Sequence, residues 1–286
     1  MVNKFYDLAQ MGDHMAVEHY LSLKKNASDC TGCGHCNKRC PFTVDQKDRM
    51  REINEYFEAK KENVRHVTWR QKWQSAYQKA SFYQSEKNSR VYWDGMARID
   101  GGSLAGDEHI RSLCNYLCEE KLLAAESSVL DIGCGGGEYV AAFANACCRV
   151  TALDYAPDMI DRCKALCESK GMKNVSYVLT DFMEDRVMEK HDIVLSCLNP
   201  STYHPAAFDK MLSLASRVLV YFSMDSNIDK SETEPIYCGC NSVRYAEEYL
   251  KELRIPYKKI PYEYSLKMSN GETRKIAFAY LVIATS

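Results

Sequence analysis

Short apolar runs and segments of helical spacing alternate through the second half of the chain. Runs rich in β-branched and aromatic residues predict strands at residues 129–132, 149–154, 175–180, 192–197, 217–224, 258–268 and 273–284. Apolar residues that recur every three to four positions predict helices at residues 138–146, 157–170, 206–216 and 243–253. Because strands that alternate with helices pair in parallel, this half predicts an α/β fold with helices on both faces of one sheet. The Asn270-Gly271 pair predicts an antiparallel hairpin for the last two strands, so we expect a seven-stranded, mostly parallel sheet.

The first 110 residues have a different pattern. In residues 1–60, apolar residues at helical spacing flank one cysteine-rich loop, which predicts a small helical module. Residues 61–110 are polar and rich in aromatic rings, and they predict a helical linker or lid that ends at a flexible Gly101-Gly102-Ser103 joint. The expected organisation is therefore a module at 1–60, a linker at 61–110 and the α/β domain at 111–286.

Composition and charge argue against a membrane protein and against general binding of nucleic acid. The chain has 286 residues, of which 46% are hydrophobic, as is ordinary for a globular protein of about two domains. No apolar run approaches the ~20 residues that span a bilayer, and the N-terminus lacks the apolar core of an export signal. We therefore expect a cytoplasmic protein with no membrane partner. The net charge of -2 gives no general attraction for nucleic acid, although residues 61–100 carry eight basic and four acidic side chains.

A glycine-rich turn follows the first predicted strand and precedes a predicted helix. It reads Asp131-x-Gly133-x-Gly135-x-Gly137, and glycines there let the backbone come close to a ligand. The dinucleotide pattern G-x-G-x-x-G would need glycine at position 138, where Glu138 stands. The turn therefore does not predict a pyrophosphate cradle. An acid before the first glycine suits a ligand with a cationic amino group.

Further acids end the next two strands. Asp154 ends the second strand, 21 positions after Gly133, where a carboxylate often holds ribose hydroxyls. Asp181 and Phe182 follow the third strand, where an acid and a ring can hold adenine.

This pattern resembles the class I S-adenosylmethionine (SAM)-dependent methyltransferases over roughly residues 90–284, including the strand order and the terminal hairpin. The resemblance implies a Rossmann-like fold with SAM as cofactor. It implies that Asp131 and the glycines of 133–137 line the methionine and ribose part of SAM. It further implies that Asp154 binds the ribose diol and that Asp181 and Phe182 bind the adenine. The alternative is a turn that packs a helix on a strand, with Asp154 as a helix cap.

The loop after the fourth strand contains two weak catalytic candidates. In the class I methyltransferases this loop faces the transferred methyl group. Asn199-Pro200 is a partial match to the motif of methyltransferases that act on exocyclic amines, since Ser201 and Thr202 replace its second proline and its aromatic residue. Asn199 could orient an amine, or it could start a turn. His204 could act as a general base, or it could be a surface or capping residue.

Four cysteines near the N-terminus carry the most specific pattern in the chain. Their spacing, C-x2-C-x2-C-x3-C-P, is that of bacterial ferredoxins, and it predicts a [4Fe–4S] cluster held by Cys30, Cys33, Cys36 and Cys40. A structural zinc site is the alternative, although zinc sites usually use two well-separated pairs of ligands; redox-active or idle thiols are another. The C-x3-C-x2-C spacing of radical-SAM enzymes is absent because Thr43 stands three positions after Cys40.

The module around these cysteines resembles the C-terminal iron–sulfur tail of some aldo/keto reductases, from about His14 to Phe57. Tyr20-Leu21, residues 30–36, residues 39–42, Val44, Met50 and Phe57 carry that resemblance. The reductase barrel has no room in this chain, so the resemblance implies a cluster-binding module and no reductase activity. Since the fourth cysteine of such a run can serve a second cluster, the fourth ligand is either Cys40 or a distant donor such as Cys238-Gly239-Cys240.

Aromatic and basic residues interleave through residues 69–98, where all three tryptophans lie. Three interpretations stand: a lid over the cofactor, a nucleic-acid platform, or packing of helices on the sheet. Together the patterns predict a SAM-dependent methyltransferase for a small-molecule acceptor. Its cluster would serve structure, redox sensing or docking of a redox partner protein. A SAM-sensing or electron-transfer protein without turnover is one alternative, and an amine-directed nucleic-acid methyltransferase is the other.

Overall fold

The computed structural model of the chain forms two compact units, Met1–Val67 and Thr68–Ser286. It describes residues 2–41, 44–61, 67–80, 89–98, 108–184, 189–226, 239–267 and 273–285. The α-helices in these ranges are α1 (Val2–Gln10), α2 (His14–Leu21), α3 (Gln46–Lys61), α4 (Trp69–Lys79), α5 (Arg90–Ala97), α6 (Glu108–Glu119), α7 (Glu138–Ala144), α8 (Pro157–Ser169), α9 (Pro205–Leu214) and α10 (Val243–Leu253). Within those ranges, no helix is both long and apolar enough to cross a membrane.

The second unit contains a seven-stranded sheet, which confirms the predicted α/β class and the mostly parallel sheet. Its strands are β1 (Ser128–Ile132), β2 (Arg149–Asp154), β3 (Val175–Leu179), β4 (His191–Cys197), β5 (Ala215–Met224), β6 (Tyr257–Lys267) and β7 (Thr273–Ala284). The order across the sheet is β3-β2-β1-β4-β5-β7-β6. The first five strands pair in parallel, and β7 pairs antiparallel with both β5 and β6.

The strand order determines where a ligand can bind. β1 is central, with β2 on one side and β4 on the other. The chain therefore adds β2 and β3 on one side of β1 and then crosses to the other side for β4 and β5, so the strand order changes direction at β1. Ligands of open α/β sheets bind beside the carboxyl ends of the strands at such a reversal. All five residues of β1 are buried, because helices cover both faces of the sheet at this position. The loops after β1 to β4 therefore meet over one edge of the sheet.

The first unit has its own apolar core. Residues from α1, α2 and α3 form this core: Tyr6, Ala9, Ala16, Tyr20, Ile53 and Phe57, with Ala27 from the connecting loop. The rings of Tyr20 and Phe57 stack at 3.6 Å, and the hydroxyl of Tyr20 accepts a hydrogen bond from the Ala27 amide at 3.0 Å. Two residues of the aldo/keto reductase resemblance thus hold the start of the cysteine loop against α3.

Several features of the sequence lie outside the described residues. They are the Gly101-Gly102-Ser103 joint, the Asn270-Gly271 turn, Phe42, Phe82, Tyr83 and Cys238.

Candidate functional site

The glycine-rich turn adopts the backbone conformation that glycine permits. Gly133, Gly135 and Gly137 have φ values of 72°, 52° and 90°, a region that costs other residues roughly 1–2 kcal/mol. The amides of Gly133 and Cys134 both donate to the Leu153 carbonyl, at 2.8 and 2.9 Å. These bonds fix the turn between the ends of β1 and β2. Gly137 is the N-cap of α7.

The three glycines differ in what their α-carbons face. A Cβ on Gly133 would come within 2.4 Å of the Asn199 amide nitrogen, and one on Gly137 within 2.6 Å of the Cys163 sulfur. A Cβ on Gly135 would meet nothing within 4 Å. Gly133 and Gly137 therefore permit close packing, as the structural interpretation of the turn expects. Gly135 leaves room for a ligand.

One cavity of about 530 Å³ lies over this edge of the sheet. Six of the seven predicted cofactor residues line it: Asp131, Gly133, Gly135, Asp154, Asp181 and Phe182. Gly137 is not among the lining residues, since it packs against α8. The fold thus brings together side chains that lie up to 51 positions apart in the sequence, between Asp131 and Phe182.

Asp131 is buried, with 2% of its surface exposed. Its Oδ2 atom has no hydrogen-bond partner among the described residues. Burial, with smaller contributions from the negative charges of Asp154 and Glu138, raises the pKa of Asp131 to about 8. A buried acceptor without a partner is costly unless a ligand completes it. A cationic amino group in the cavity would donate a hydrogen bond to Oδ2 and would place a positive charge beside the ionised carboxyl of Asp131.

Asp154 is more fully satisfied than Asp131. Its Oδ2 accepts from the Gly135 amide and its Oδ1 from the Ala156 amide, both at 3.0 Å. Burial raises the pKa of Asp154, and these backbone donors oppose the rise. The carboxylate therefore braces the turn and holds Ala156, the residue that precedes α8. Because a carboxylate has about four acceptor sites, it retains acceptors for hydroxyl groups in the cavity.

Asp181 and Phe182 lie just beyond β3. Asp181 Oδ1 accepts from the Met183 amide at 2.7 Å. Phe182 is buried, and the Lys210 ammonium group lies 4.4 Å from its ring centre. Lys210 also donates to the Phe182 carbonyl. This lysine fixes the aromatic wall on the side where adenine is expected.

The weak catalytic candidates have structural roles. The side-chain oxygen Oδ1 of Asn199 accepts from the amide and hydroxyl of Ser201, at 3.1 and 2.8 Å. Its side-chain nitrogen Nδ2 donates to the Ile132 carbonyl at 2.9 Å. Nδ1 of His204 accepts from the Ala207 amide at 3.3 Å and caps α9; burial lowers the pKa of His204. Both residues line the cavity, but the observed bonds correspond to the turn and capping alternatives.

The aromatic residues of the middle segment divide between two roles. Tyr77 and Trp93 line the cavity, as the lid interpretation expects. Trp73 is fully buried in the core, where its Nε1 donates to the Cys240 carbonyl at 3.0 Å. Trp69 is half-buried and packs at 6.5 Å from Tyr245. Residues of this one segment thus both line the cavity and pack in the core.

The sequence analysis missed a further set of lining residues. Five aromatic residues from five elements belong to it: His109, Tyr139, Phe222, Tyr262 and Phe278. They lie on α6, α7, β5, β6 and β7 and share no local motif. Only the position of Tyr139, two residues after the glycine-rich turn, could have marked one of them.

The cysteine loop lies in the first unit. Cys30, Cys33 and Cys36 are exposed and Cys40 is half-buried. Hydrogen bonds from His35, then from Thr31, lower the pKa of Cys33 to about 7, which favours the thiolate that metals bind. No three His, Cys, Asp or Glu side chains of the described residues are placed to hold a metal ion.

The donor chemistry of this loop nevertheless fits a cluster. Four thiols lie within eleven residues. Gly32 and Gly34, with φ of 69° and 71°, let the chain reverse between successive cysteines. The backbone thus has the freedom that a cubic cluster requires of its ligand loop.

Comparison with known proteins shows which family the second unit resembles. Residues 129–220 match the methyltransferase domain family. The EEF1A lysine methyltransferase 2 of Homo sapiens is 26% identical over 113 residues, which are 36% of this chain and 48% of that protein. The mouse protein of the same name is 25% identical over 113 residues, again 36% of this chain and 46% of its own length. The chain thus spans about half the length of the curated relatives it matches.

A solved structure shows the same fold. It is magnesium protoporphyrin IX methyltransferase from Synechocystis PCC 6803 with bound SAH, at 16% identity and a TM-score of 0.50. The match covers 71% of this chain and 98% of that chain. Residues 129–220 thus match a methyltransferase domain, and the chain has the class I fold that SAM-dependent methyltransferases share.

Proposed function

We propose that this protein transfers the methyl group of SAM to a small-molecule acceptor. The observation that carries the proposal is the buried, unpartnered Oδ2 of Asp131 in the cavity beside the glycine-rich turn. An isolated acceptor of this kind fits the amino group of the methionine part of SAM, which is a cation. The open space at Gly135 fits the passage of the ligand close to the backbone.

The remaining lining residues would hold the rest of the cofactor. Asp154 would accept from the ribose hydroxyls, and Asp181 and Phe182 would hold the adenine. When bound, SAM supplies an electrophilic methyl group on a sulfonium. The chain contributes orientation of the two reactants, and Tyr77 and Trp93 contribute an aromatic wall to the cavity.

A protein lysine is a second candidate acceptor. It is favoured by the names of the human and mouse relatives, which act on a lysine of EEF1A. The two acceptor classes can be distinguished by the fate of the methyl group. Purified protein with methyl-labelled SAM is incubated in parallel with a small-metabolite fraction and with a protein fraction of cells.

We expect the label in a small molecule, with S-adenosylhomocysteine (SAH) as the second product. Label in protein lysines would transfer the assignment to the second candidate. Binding of SAM without SAH formation in either fraction would indicate a sensor without turnover. A third incubation, with cellular nucleic acid, tests the amine-directed alternative, which label in nucleic acid would support.

We also propose that Cys30, Cys33, Cys36 and Cys40 hold a [4Fe–4S] cluster that serves structure, redox sensing or docking of a redox partner. The ligand spacing, the low pKa of Cys33 and the positive-φ glycines support this assignment. Anaerobically purified protein should contain about four irons and four sulfides per chain. The Cys33→Ser variant should lose them, whereas Cys118→Ser, at an exposed cysteine of the other unit, should keep them. Stoichiometric zinc without sulfide would contradict the proposal.

A further inference from the structure

Part of the cavity lining is aromatic and is left unused by the cofactor assignment. This part, the aromatic end, consists of His109, Tyr139, Phe222, Tyr262 and Phe278. The carboxylates among the described lining residues are Asp131 of β1, Glu138 at the start of α7, Asp154 at the end of β2 and Asp181 after β3. The lining thus combines acidic residues, which suit a cationic cofactor, with a set of aromatic residues that remains for a second reactant.

The rings at the aromatic end form flat walls. The rings of His109 and Tyr262 stack at 4.9 Å with an angle of 24° between their planes. Those of Phe222 and Phe278 stack at 5.6 Å and 28°. Offset or parallel packing against such rings favours another flat ring over an aliphatic chain.

A hydrogen-bonded chain of three side chains reaches this wall. The Tyr139 hydroxyl lies 3.2 Å from Nε2 of His109 and 2.7 Å from the Tyr280 hydroxyl. Tyr280 is buried, with 2% of its surface exposed. Tyr139 is the member that both faces the cavity and connects the other two. Its oxygen can donate to His109 and accept from Tyr280, and its second lone pair can accept either from the Cys197 thiol or from a ligand that displaces this thiol.

The protonation states of these hydrogen-bonded side chains indicate which of them can accept a proton. Burial raises the pKa of both Tyr139 and Tyr280, so these phenols stay protonated. Burial likewise raises the pKa of Cys197, the thiol beside Tyr139, which excludes it as a thiolate. The neutral imidazole of His109 has one ring nitrogen that can accept a proton, and its Nε2 atom lies 3.2 Å from the Tyr139 hydroxyl. A proton received by Tyr139 therefore passes on to Nε2 of His109.

We propose that the aromatic end binds a flat, uncharged acceptor with a ring hydroxyl, and that Tyr139 relays the hydroxyl proton to His109. The proposal rests on the methyltransferase function and names its substrate class. The acceptor oxygen forms a new bond to the methyl carbon while the bond between that carbon and sulfur breaks. The electron pair of the broken bond stays on sulfur, which becomes a neutral thioether. The acceptor proton moves to Tyr139, whose own proton moves to Nε2 of His109. Tyr139 touches the substrate, and His109 acts through it.

The test uses the full chain saturated with SAH and the chromophoric phenol 4-nitrophenol as probe. At a pH where the free probe is protonated, we expect saturable binding with the absorbance of the phenolate, because the relay takes up the proton. Tyr139→Phe keeps the ring wall and removes the relay. In this variant the probe should bind up to about tenfold more weakly, a difference of 1.4 kcal/mol, and should keep the absorbance of the phenol.

Two further variants separate the relay from general structure. His109→Phe should also retain the probe as phenol, since the ring remains and the proton acceptor is lost. Tyr264→Phe, on the same strand as Tyr262 but outside the cavity lining, should behave like the parent. With substituted phenols as methyl acceptors, Tyr139→Phe and His109→Phe should lower kcat by about 10²-fold or more, with a smaller change in KM.

Each failure has its own meaning. SAH that does not bind the parent overturns the proposed function. SAH binding without phenol binding overturns the acceptor assignment alone, as does methyl transfer to primary alkylamines but not to phenols. Phenolate absorbance that persists in Tyr139→Phe overturns the relay.

Discussion

The buried carboxyl of Asp131 makes a prediction that links protein stability to cofactor binding. Its pKa of about 8 means that roughly ten of every eleven folded molecules hold this proton at pH 7. In the unfolded chain, where its pKa returns to the ordinary value of 3.8, the same carboxyl is ionised. Because the folded state binds the extra proton, the free energy of unfolding falls as pH rises from about 4 to about 8. The slope is at most ~1.4 kcal/mol per pH unit.

The substitution Asp131→Asn removes this titration and keeps the shape of the side chain. Asparagine cannot ionise, so the variant should be more stable than the parent without ligand, and its advantage should grow as pH rises toward 8. Its affinity for SAH should be about 10- to 100-fold weaker, because a charged hydrogen bond worth ~1.5–3 kcal/mol is lost. The parent should release close to one proton per SAH bound at pH 7, and the variant none.

Two measurements check these expectations. Chemical unfolding at a series of pH values gives the stability difference between parent and variant. Calorimetric titration with SAH in phosphate and in Tris gives the proton release, from the dependence of the observed enthalpy on the buffer's ionisation enthalpy. Equal SAH affinity, no proton release by the parent and a stability difference independent of pH would refute the reasoning.

Asp192 provides a matched control outside the cavity. Its Oδ2 accepts from the Ser128 amide and hydroxyl, both at 2.8 Å, and the amide bond is the main cause that lowers the pKa of Asp192. Asp192→Asn should therefore have the opposite effect. It should reduce stability at neutral pH, with the loss disappearing as pH falls below about 4, and it should leave SAH binding unchanged.

Three other predictions test the site. Gly135→Ala and Gly171→Ala both place a side chain at positive φ with nothing within 4 Å, so each should lose about 1–2 kcal/mol of stability; only Gly135→Ala should also weaken SAH binding, as measured by calorimetry. Asp154→Ala should weaken SAH binding at least ~10-fold and lower the melting temperature, since the Gly135 and Ala156 amides lose their acceptor. His204→Asn should retain methyl transfer because asparagine is a good N-cap, whereas a fall in kcat of ~10²-fold or more would make His204 a general base.

The fold was largely predictable from local pattern. The strand at Arg149–Asp154 and the helix at Val243–Leu253 coincide with their predicted bounds, because runs of β-branched residues and helical spacing act within a few positions. Boundaries that depend on neighbouring elements shifted slightly. For example, β5 begins at Ala215, two residues before the predicted start, where Ala215 pairs with His191 of β4. Such pairing is decided by the partner strand and leaves no local signal.

The cofactor end of the site was predictable for a related reason. Glycine at positive φ and an acid at a strand end are local requirements, and their spacing along the chain reflects the order of parallel strands. The sequence did not distinguish the two roles within the turn, however. Gly137 packs against Cys163 while Gly135 faces open space, and only the positions of α8 and of the loop after β4 decide this.

The aromatic end was not predictable, because its hydrogen bonds join distant parts of the chain. Tyr139 lies 30 positions from His109 and 141 from Tyr280. Each residue alone fits an ordinary amphipathic helix or buried strand. Conversely, Asn199 and His204 were predicted as catalytic candidates from their residue type. Side chains that hydrogen-bond the nearby backbone are also favoured at turns and helix caps. Residue type alone therefore could not separate a reactive group from a structural one.

The division of the cavity explains why one site can take two different reactants. Asp131 and Asp154 lie so close together that the charge of Asp154 contributes to the raised pKa of Asp131, so the site without ligand holds a proton that a cationic ligand displaces. The ammonium group of the cofactor then pairs with the ionised Asp131. The aromatic end remains, where an uncharged ring gains contact without desolvating a charge. The burial that lowers the stability of the protein without ligand thus also favours a cationic cofactor at Asp131 and leaves the aromatic lining to a neutral acceptor.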